Sequence, residues 1–481
     1  MNILFLMTDQ QRYDCIGYAA SSKVPTPHMD RIAQGMVFSQ CQTVNPICQP
    51  ARTALLTGRY PHQIGTVQMS GDLNFATPTF PQALQKAGYW TAGIGKFHYL
   101  QSWPWHTPVG GGVPLTKLRS EMQALGYHRV WETSGKQLAC KNYCDYCEYL
   151  DERGLLSGFR DWVEERGANS DFPNAELEKD GVPWPFDEAD HIDKVTGRKI
   201  RDAIEQRDQS KPFFILGSFC SPHKPFDPPQ RFLDMEPYEE VDDFIPSEAG
   251  PLSEEQKQVF WKLRRAYKAT IRLLDEEIGK ILDQLESDGL LEDTLIIISS
   301  DHGEMMGDHG CVQKSSYYRE SLNVPLAIRH PQFLNHSCND RPVELTDITA
   351  TILAAAGLDP RSALSKNWPA FNNSIPCKSL LPVLSGTENS IREYAFSECR
   401  HDWQCITSSK YKYIKFLGYD DPDVGPREQF FDLENDPSEV CNLITDTSYA
   451  DAVDWHRRRL QFVLDQTPAV QHRWAPLMSS S

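Results

Sequence analysis

Short apolar runs alternate with helical patterns through most of the chain. The runs are bounded by turn residues and predict buried strands at residues 2–8, 90–98, 212–219, 294–300 and 323–328. Between them, apolar positions at helical spacing predict helices at 26–36, 80–88, 193–208, within 253–290 and at 346–356. This alternation is typical of a mostly parallel sheet sandwiched between helices. Such a sheet binds ligands beyond the carboxyl ends of its strands, so we expect a functional site there.

The pattern changes near residue 376. The segments "REYAFSEC", "WQCITSSKYKYIKFL" and "QFFDL" are short, β-prone and separated by turn residues, and 449–466 has the spacing of an amphipathic helix. These features predict a small antiparallel sheet packed with one terminal helix. We therefore divide the chain into a large α/β domain of residues 1–375 and a C-terminal subdomain of residues 376–481.

The stretch from 100 to 190 is rich in Trp, Pro and Gly and has weak periodicity. It predicts loops inserted at the sheet edge, where substrate loops often lie. Within it, Cys140, Cys144 and Cys147 have the C-x3-C-x2-C spacing of an iron–sulfur cluster. Coincidence and a zinc knuckle are the other interpretations.

Composition narrows the classes of partner. The chain has 40% hydrophobic, 11% aromatic and 24% charged residues, which are globular values. Its net charge of -18 argues against nucleic acid or an anionic membrane as the main partner, because both require a basic face. An anionic substrate would need a local basic pocket.

The N-terminus and the cysteines bear on the compartment. Met1 is followed by "NILFLM", which is typical of a buried strand rather than a signal peptide, and no run approaches the ~20 apolar residues of a membrane span. We expect a cytoplasmic protein as written, or a periplasmic one if a leader was trimmed. The thirteen cysteines are odd in number and scattered, which favours reduced thiols. No pattern in the sequence predicts an oligomeric state.

The segment "NPICQPARTALLTGRYP" carries the first candidate for chemistry. A proline near its start and Gly58 after its last periodic residue predict a short helix. Cys48 would lie at its N-terminal end, where the helix dipole favours negative charge, with Arg52 one turn on. The polar surroundings predict an exposed, activated thiol. The alternative is a small buried residue.

Two predicted strands each end in an aspartate followed by another potential metal ligand. Asp9 and Gln10 end the first strand, and Asp301 and His302 end the strand before "DHGE". Each pair alone fits an ordinary turn, but parallel strand ends meet at one edge, so both pairs can face a single cation. Three oxygen donors and one imidazole suit Ca²⁺, with Mg²⁺ or Mn²⁺ as alternatives.

A basic pocket is predicted at the same edge. Several cationic or imidazole side chains follow strands, and with Arg52 they would supply what an anion requires: Lys96, His98, His223, Lys224 and Lys314. Each taken singly is typical of a solvated charge or a loop histidine.

Cys-x-Pro-x-Arg followed by Leu-Thr-Gly-Arg resembles the signature of the type I sulfatases, the formylglycine-dependent members of the alkaline-phosphatase-like superfamily. In that family the cysteine is oxidised to formylglycine (3-oxoalanine), and the hydrated aldehyde is the nucleophile. The resemblance implies that Cys48 is the precursor and that a formylglycine-generating enzyme is a partner. It also implies an alkaline-phosphatase-like fold.

The resemblance further implies roles for the candidate residues. Asp9, Gln10, Asp301 and His302 would hold a calcium ion that also contacts residue 48. The cations and imidazoles would support the formylglycine, hold sulfate oxygens, and move protons at the leaving oxygen and during release of sulfate: Arg52, Lys96, His98, His223 and Lys314. Gln10 departs from the family pattern, in which Asp is commoner, and a Gln there also occurs in phosphonate monoester hydrolases. Those enzymes usually lack the Lys-x-His pair of Lys96 and His98.

Weaker matches concern substrate contacts and the second domain. Lys224 has no secure counterpart, and Arg400 and His401 lie where many family members lean a loop over the pocket; a plain β-edge turn is the alternative. Residues 430–443 resemble the family's C-terminal segment, whose role is structural.

The leading hypothesis is hydrolysis of a sulfate ester on a small sulfated saccharide of the glycosaminoglycan type. "DHGEMMGDHG" resembles carbohydrate-directed members, and Trp103 and Trp105 would stack on a sugar ring. The alternatives are a phosphonate monoester or phosphodiester hydrolase on the same scaffold, a non-catalytic sulfated-glycan binder, and a metal-only phosphotransferase. The sequence selects neither the sugar nor the sulfated hydroxyl.

Overall fold

Sheets and helices alternate along the chain in the computed structural model. It describes residues 1–69, 73–100, 113–166, 177–237, 243–365, 374–418 and 427–470. Trp103 and Trp105, predicted to contact a sugar, lie outside the described residues.

The strands are, in chain order, β1 (Asn2–Asp9), β2 (Met36–Phe38), β3 (Cys41–Gln42), β4 (Trp90–Gly95), β5 (Arg129–Glu132), β6 (Phe213–Pro222), β7 (Thr294–Ser300), β8 (Asn323–Val324), β9 (Leu326–Arg329), β10 (Ser337–Asn339), β11 (Val343–Glu344), β12 (Tyr394–Cys399), β13 (Trp403–Ser408), β14 (Tyr411–Phe416) and β15 (Glu428–Asp432). The α-helices are α1 (Cys48–Thr57), α2 (Pro61–Ile64), α3 (Phe80–Lys86), α4 (Arg119–Ala124), α5 (Lys136–Ala139), α6 (Asp145–Glu152), α7 (Leu156–Glu165), α8 (Ile192–Glu205), α9 (Gln230–Met235), α10 (Glu254–Ser287), α11 (Arg319–Leu322), α12 (Asp347–Ala355), α13 (Pro360–Ala363), α14 (Leu381–Leu384) and α15 (Ala450–Gln466).

The large sheet has eight strands in the order β10-β2-β9-β7-β1-β6-β4-β5. The central strands β7, β1, β6 and β4 run parallel, whereas β9 is antiparallel to both of its neighbours. The carboxyl ends of the central strands therefore meet at one edge, as the sequence predicts.

Helices cover both faces of this sheet. Because side chains alternate along a strand, Ile3 and Phe5 pack on one face in a core that includes α1, α3 and α12. Leu4 and Leu6 pack on the other face with α8 and α10. Burying each such side chain contributes about 1.5–3 kcal/mol, so the sheet is held from both sides.

Most predicted elements are present, with different ends. The strand predicted over 90–98 ends at Gly95, whose φ is +107° and where a Cβ atom would lie 1.8 Å from the Ser218 carbonyl oxygen. The run at 323–328 forms two short strands, β8 and β9, interrupted at Pro325. The helix predicted over 26–36 is a short 3-10 helix, Met29–Gln34.

The stretch predicted as inserted loops contains regular structure. Helices α4 to α7 lie within it, and part of it packs in a separate core around Phe159, Trp162 and Trp184. Helices α4 and α5 span only six and four residues, too few for an apolar repeat, whereas α7 buries Leu156, Phe159 and Trp162 at a helical spacing that the prediction overlooked.

A second sheet follows in the C-terminal part of the chain. It is antiparallel in the order β12-β13-β14-β15, and α15 packs against it through Val453, Leu460 and Val463. The predicted fold class, a large mostly parallel sheet between helices plus a small antiparallel sheet with a terminal helix, is confirmed. The boundary at residue 376 stays a prediction.

Charged contacts join the two parts. Arg392 lies 2.8 Å from a Glu344 oxygen and donates from Nε to Asp347 at 3.0 Å; the two acids are buried, and the Arg392 side chain is 6% exposed. Among the described helices, none is both long and apolar enough to cross a membrane.

Candidate active site

Helix α1 begins at Cys48, as the sequence predicts. Ile47 precedes it in an extended conformation, and Gly58 ends it in the left-handed conformation at φ +65°. The side chain of Cys48 is only 1% exposed, so the expectation of an exposed thiol is wrong. Polar and charged side chains from the strand ends surround it and exclude solvent.

Four potential metal ligands converge at the sheet edge. Asp9, Cys48, Asp301 and His302 are buried, and their ligand atoms all lie within 4.8 Å of one another. Asp9 ends β1, and Asp301 follows the adjacent parallel strand β7, so the backbone itself places the two acids side by side. The Cys48 sulfur lies 3.2 Å from His302 Nε2 and 3.8 Å from Asp9 Oδ1.

Arg52 binds protein carboxylates. Its Nε donates to Asp301 at 2.7 Å, and its Nη2 donates to Asp9 at 3.3 Å. Its Nη1 donates to the Lys96 carbonyl oxygen at 2.5 Å and to Ser218 Oγ at 2.8 Å. Each guanidinium nitrogen thus donates to the protein, and the residue is fully buried. In the structure Arg52 holds the two acids in place, and its implied role as a holder of sulfate oxygens stays a prediction.

Lys96 and His98 lie on the other side of Cys48. The Lys96 ammonium forms an ion pair with Asp9 and lies 4.0 Å from the Cys48 sulfur. His98 adopts a left-handed backbone at φ +54°, and its side chain is buried. Its two ring nitrogens have no hydrogen-bond partner among the described residues, which leaves them available to a ligand.

Lys314 makes the closest cationic contact with Cys48. Its Nζ lies 2.8 Å from the sulfur, 2.9 Å from His223 Nε2 and 3.1 Å from Gln10 Oε1. Both of its neighbours in the chain, Gln313 and Ser315, have positive φ angles of 61° and 74°. A bend of this kind directs the lysine out of its loop and into the site.

The hydrogen bonds of His223 define its tautomer. Its Nδ1 lies 2.9 Å from the Lys224 carbonyl oxygen, which only accepts, so Nδ1 carries the hydrogen. Its Nε2 therefore accepts from the Lys314 ammonium. Burial and the Lys314 charge lower the pKa of His223 to about 4, which keeps the ring neutral.

Gln10 was predicted as a metal ligand, and the structure gives its side chain other partners. Its Oε1 accepts from Lys314 at 3.1 Å, and its Nε2 donates to Glu304. It lies beside the four converging donors and is bonded to the neighbouring cation.

The remaining candidates are more remote. Lys224 is partly exposed, and its described contact with the site is the carbonyl oxygen that holds His223. Arg400 and His401 are exposed on the turn between β12 and β13. The strand that follows this turn contacts the loop of Lys314, since Trp403 Nε1 donates to the Ser315 carbonyl oxygen at 3.3 Å.

The cations determine the charge state of the site. Burial and Cys48 raise the pKa of Asp9, but the charges of Lys96 and Arg52 outweigh them and bring it to about 2. Burial likewise raises the pKa of Cys48, and Lys314, Lys96 and His302 reverse the effect and hold it well below its usual range. Burial lowers the pKa of His302, yet Asp301 and Cys48 raise it overall. The site therefore stabilises negative charge at position 48.

Sequence reasoning missed two participants. Ser218 on β6 accepts from Arg52, and Glu304 accepts from Gln10. Glu304 directly follows the Asp-His-Gly of the predicted metal site, and this position was the available signal.

The three neighbouring cysteines form no ligand group in the described part of the chain. Cys144 and Cys147 have sulfurs 3.5 Å apart, whereas the Cys140 thiol contacts the carbonyl oxygens of Lys136 and Arg160. The group of His, Cys, Asp and Glu ligands found among the described residues is that of Asp9 and its partners. The iron–sulfur and zinc interpretations are thus not supported.

Family comparisons extend over almost the whole chain. The family model described as Sulfatase matches residues 1–358, and that described as N-sulphoglucosamine sulphohydrolase, C-terminal, matches residues 307–466. The chain is 29% identical to an arylsulfatase of Clostridium perfringens, covering 95% of this chain and 93% of that protein. It is 26% identical to an N-acetylglucosamine-6-O-sulfatase of Bacteroides thetaiotaomicron, covering 93% of this chain and 83% of that protein.

Solved structures share the fold. One, a complex with its substrate D-glucosamine-2-N,6-O-disulfate, aligns with a TM-score of 0.69 and 21% identity over 98% of this chain and 99% of that one. The phosphonate monoester hydrolase of Agrobacterium radiobacter aligns with a TM-score of 0.75 and 22% identity over 97% of this chain and 96% of that one.

Proposed function

Because the chain belongs to the sulfatase family, we propose that it removes sulfate from a small glycosaminoglycan-type saccharide, using a formylglycine made from Cys48 and a bound divalent cation. The predicted family and the predicted enzyme class are confirmed: the chain is a sulfuric ester hydrolase. The sugar, the modified residue and the cation are the proposal.

One observation carries the proposal. A cysteine at a helix start lies among two buried acids, an imidazole and two lysines, and the nearest lysine nitrogen is 2.8 Å from its sulfur. A site of this kind stabilises negative charge at position 48 and on a bound anion, as transfer of a sulfuryl group requires.

The donor set fits a hard divalent cation. Asp9 and Asp301 offer carboxylate oxygens and His302 offers an imidazole, within 4.8 Å of position 48. After conversion of Cys48, an oxygen would replace the sulfur, and oxygen ligands are those that Ca²⁺, Mg²⁺ and Mn²⁺ prefer. The hydrated aldehyde would supply the nucleophilic oxygen, and the cation would lower its pKa and polarise the ester.

The chain's own residues would orient the ester and move protons. Arg52 holds Asp9 and Asp301 in register, while Lys96 and Lys314 face the anion from two sides. Since His223 accepts from Lys314 through Nε2, the proton near the leaving oxygen resides on Lys314. Lys314 is therefore the proposed acid, with His223 as its positioning partner. His98 is the proposed base for release of sulfate, because its ring nitrogens make no other described hydrogen bond.

The names of similar proteins support a sugar substrate. One relative is an N-acetylglucosamine-6-O-sulfatase, and one structural neighbour binds D-glucosamine-2-N,6-O-disulfate.

A phosphonate monoester hydrolase is the second candidate. Two such enzymes share the fold with TM-scores of 0.75 and 0.76. The family resemblance also implies that a Gln at the position of Gln10 occurs in enzymes of this kind. The pair of Lys96 and His98 beside Cys48 favours the sulfatase, because the family resemblance implies that phosphonate monoester hydrolases usually lack this pair.

A screen of defined sulfated mono- and disaccharides tests the substrate, with Cys48→Ala as the blank. We expect desulfation of at least one glucosamine sulfate and none by the blank. Paired rates on an aryl sulfate and the matching aryl phosphonate separate the two candidates. A large phosphonate preference would overturn the sulfatase proposal.

Peptide mass spectrometry across residues 45–59 tests the modification. After coexpression with a formylglycine-generating enzyme, we expect the mass of the aldehyde or its hydrate at position 48. Full turnover by a protein whose Cys48 remains a thiol would contradict the proposal. An unmodified thiol without turnover would instead favour the glycan binder.

A further inference from the structure

We propose that Glu304, which touches neither Cys48 nor the metal ligands in any described contact, is a positioning residue for Lys314 and acts through the amide of Gln10. The inference deepens the proposed function, because Lys314 is its acid. It rests on a chain of contacts from the Glu304 carboxylate through Gln10 and Lys314 to the Cys48 sulfur.

Glu304 fixes which way the Gln10 amide points. A carboxylate only accepts hydrogen bonds and an ammonium only donates them. The amide lies between the two, so its NH₂ must face Glu304 and its oxygen must face Lys314. Without the carboxylate, only the ammonium still selects this orientation, and a donor at position 304 would favour the reverse one, which turns the NH₂ toward the ammonium. A donor would then face a donor, and Lys314 would be pushed away from residue 48.

The same carboxylate also holds the loop that carries Lys314. Its Oε1 accepts from the backbone N–H of Met306, at 3.1 Å, and from that of Gln313. Gln313 precedes Lys314 directly and has a positive φ, a conformation that a non-glycine residue keeps only when its surroundings hold it. Glu304 is 2% exposed, so solvent does not compete for these contacts.

The two effects converge on one side chain. Glu304 restrains the backbone next to Lys314 and, through Gln10, the acceptor that its ammonium meets. The structure thus gives the Gln at position 10 a purpose that a metal ligand would not need: its polarity is matched to Glu304 on one side and to Lys314 on the other.

The first experiment replaces Glu304 by its amide isostere. In E304Q the glutamine oxygen can still accept from the two loop N–H groups, which leaves its NH₂ facing the NH₂ of Gln10. We expect kcat to fall roughly 10- to 100-fold with little change in thermal midpoint, the range usual for residues that orient a catalytic group. The matched control is E320Q, a buried glutamate near the same loop that faces His309; we expect its kcat to stay within about twofold.

A charge-conserving swap provides the decisive readout. In E304Q/Q10E the glutamine at 304 donates to the carboxylate at 10, which in turn accepts from Lys314. This restores the donor–acceptor order from residue 304 through residue 10 to Lys314, and the total charge is unchanged. We therefore expect most of the lost kcat to return, although Q10E alone is impaired. A residue with a merely structural role would give additive losses in the double variant.

The effects of E304Q and K314M should also overlap. If Glu304 acts through Lys314, then E304Q/K314M is no slower than K314M alone. Additive losses, or a swap that rescues nothing, would overturn the inference. All rates are measured on whichever ester the wild-type enzyme turns over, so a wild type without sulfatase activity refutes the proposed function, whereas an active wild type with an unaffected E304Q refutes only the role of Glu304.

Discussion

The ammonium nitrogen of Lys314 lies 2.8 Å from the sulfur of Cys48, closer than the Lys96 nitrogen at 4.0 Å. The two residues come from different layers of the fold: Cys48 starts a helix over one face of the sheet, and Lys314 lies on the loop after β7. Their contact places the ammonium of the proposed acid directly beside the position of the nucleophile.

Replacing Lys314 by Met should impair turnover strongly. The change keeps the length of the side chain and removes its charge and its proton, so we expect kcat/KM to fall about 10²- to 10³-fold. Steady-state kinetics on the best saccharide from the screen measures the loss. Lys410→Met, which removes an exposed cation on the second sheet, is the control and should leave kcat/KM unchanged. Equal losses in both variants would contradict the assignment of Lys314.

Replacing Arg52 by Lys should loosen the two acids. A single ammonium cannot span Asp9, Asp301 and the Ser218 hydroxyl, so we expect a loss of about 3 kcal/mol in the free energy of unfolding. Denaturant unfolding measures it. Arg59→Lys is a buried control in the same segment, and its guanidinium donates to the carbonyl oxygens of Thr57 and Leu364 instead. Only the Arg52 variant should also lose the stabilisation by added cation; retention of that effect would show that Arg52 does not organise the acids.

A divalent cation should stabilise the folded protein. Asp9, Asp301 and His302 offer ligand atoms within 4.8 Å of one another, and a ligand present at 100 times its Kd adds about 2.7 kcal/mol. Thermal unfolding after chelation, followed by titration with Ca²⁺, Mg²⁺ and Mn²⁺ in turn, identifies the preferred ion. Asp301→Asn should abolish the shift. An identical shift in that variant would place the bound cation elsewhere.

Glu320 should make stability depend on pH. Burial raises its pKa from 4.5 to about 7, with further raising by Glu439 and Asp308 and opposition from Arg12. The folded protein then retains a proton that the unfolded chain releases near pH 4.5, so this residue's contribution to stability falls as the pH rises from about 4.5 to 7 and stays low above.

Comparing wild type with E320Q isolates this effect. The variant cannot ionise at that position, so its unfolding free energy relative to wild type should increase between pH 5 and 8, by on the order of 3 kcal/mol at most. Chemical denaturation across this range provides the measurement. A constant difference would mean that Glu320 titrates normally in the folded protein.

Local signals in the sequence predicted much of the site. Asp9 and Asp301 follow apolar runs that read as strands, and the helix at Cys48 is marked by a proline and Gly58. Because β1 and β7 pair in parallel, their carboxyl ends, and so the two acids, lie side by side. These features depend on residues near each other in the chain or on a general rule of sheet topology.

The roles of individual polar side chains depend on long-range contacts and were not predictable in the same way. The sequence presents Arg52 as a cation that would bind an anionic substrate. In the structure it binds Asp9, at the end of β1, and Asp301, directly after β7. The sequence predicts Gln10 as a metal ligand. In the structure its amide donates to Glu304 and accepts from Lys314, and both contacts are long-range. Helices α4 and α5 were not predicted for a different reason, since they span only six and four residues; the buried period of α7 was present in the sequence and was overlooked.

Arg392 has a consequence for anyone who wishes to shorten this protein. It comes from the C-terminal part of the chain and forms ion pairs with two buried acids, Glu344 at the end of β11 and Asp347 at the start of α12. A fragment ending before it would keep both acids without their counter-charge, in a place that water does not reach. We therefore expect a fragment that ends before Arg392 to unfold more readily than the full chain, because two buried acids would lose their ion-pair partner.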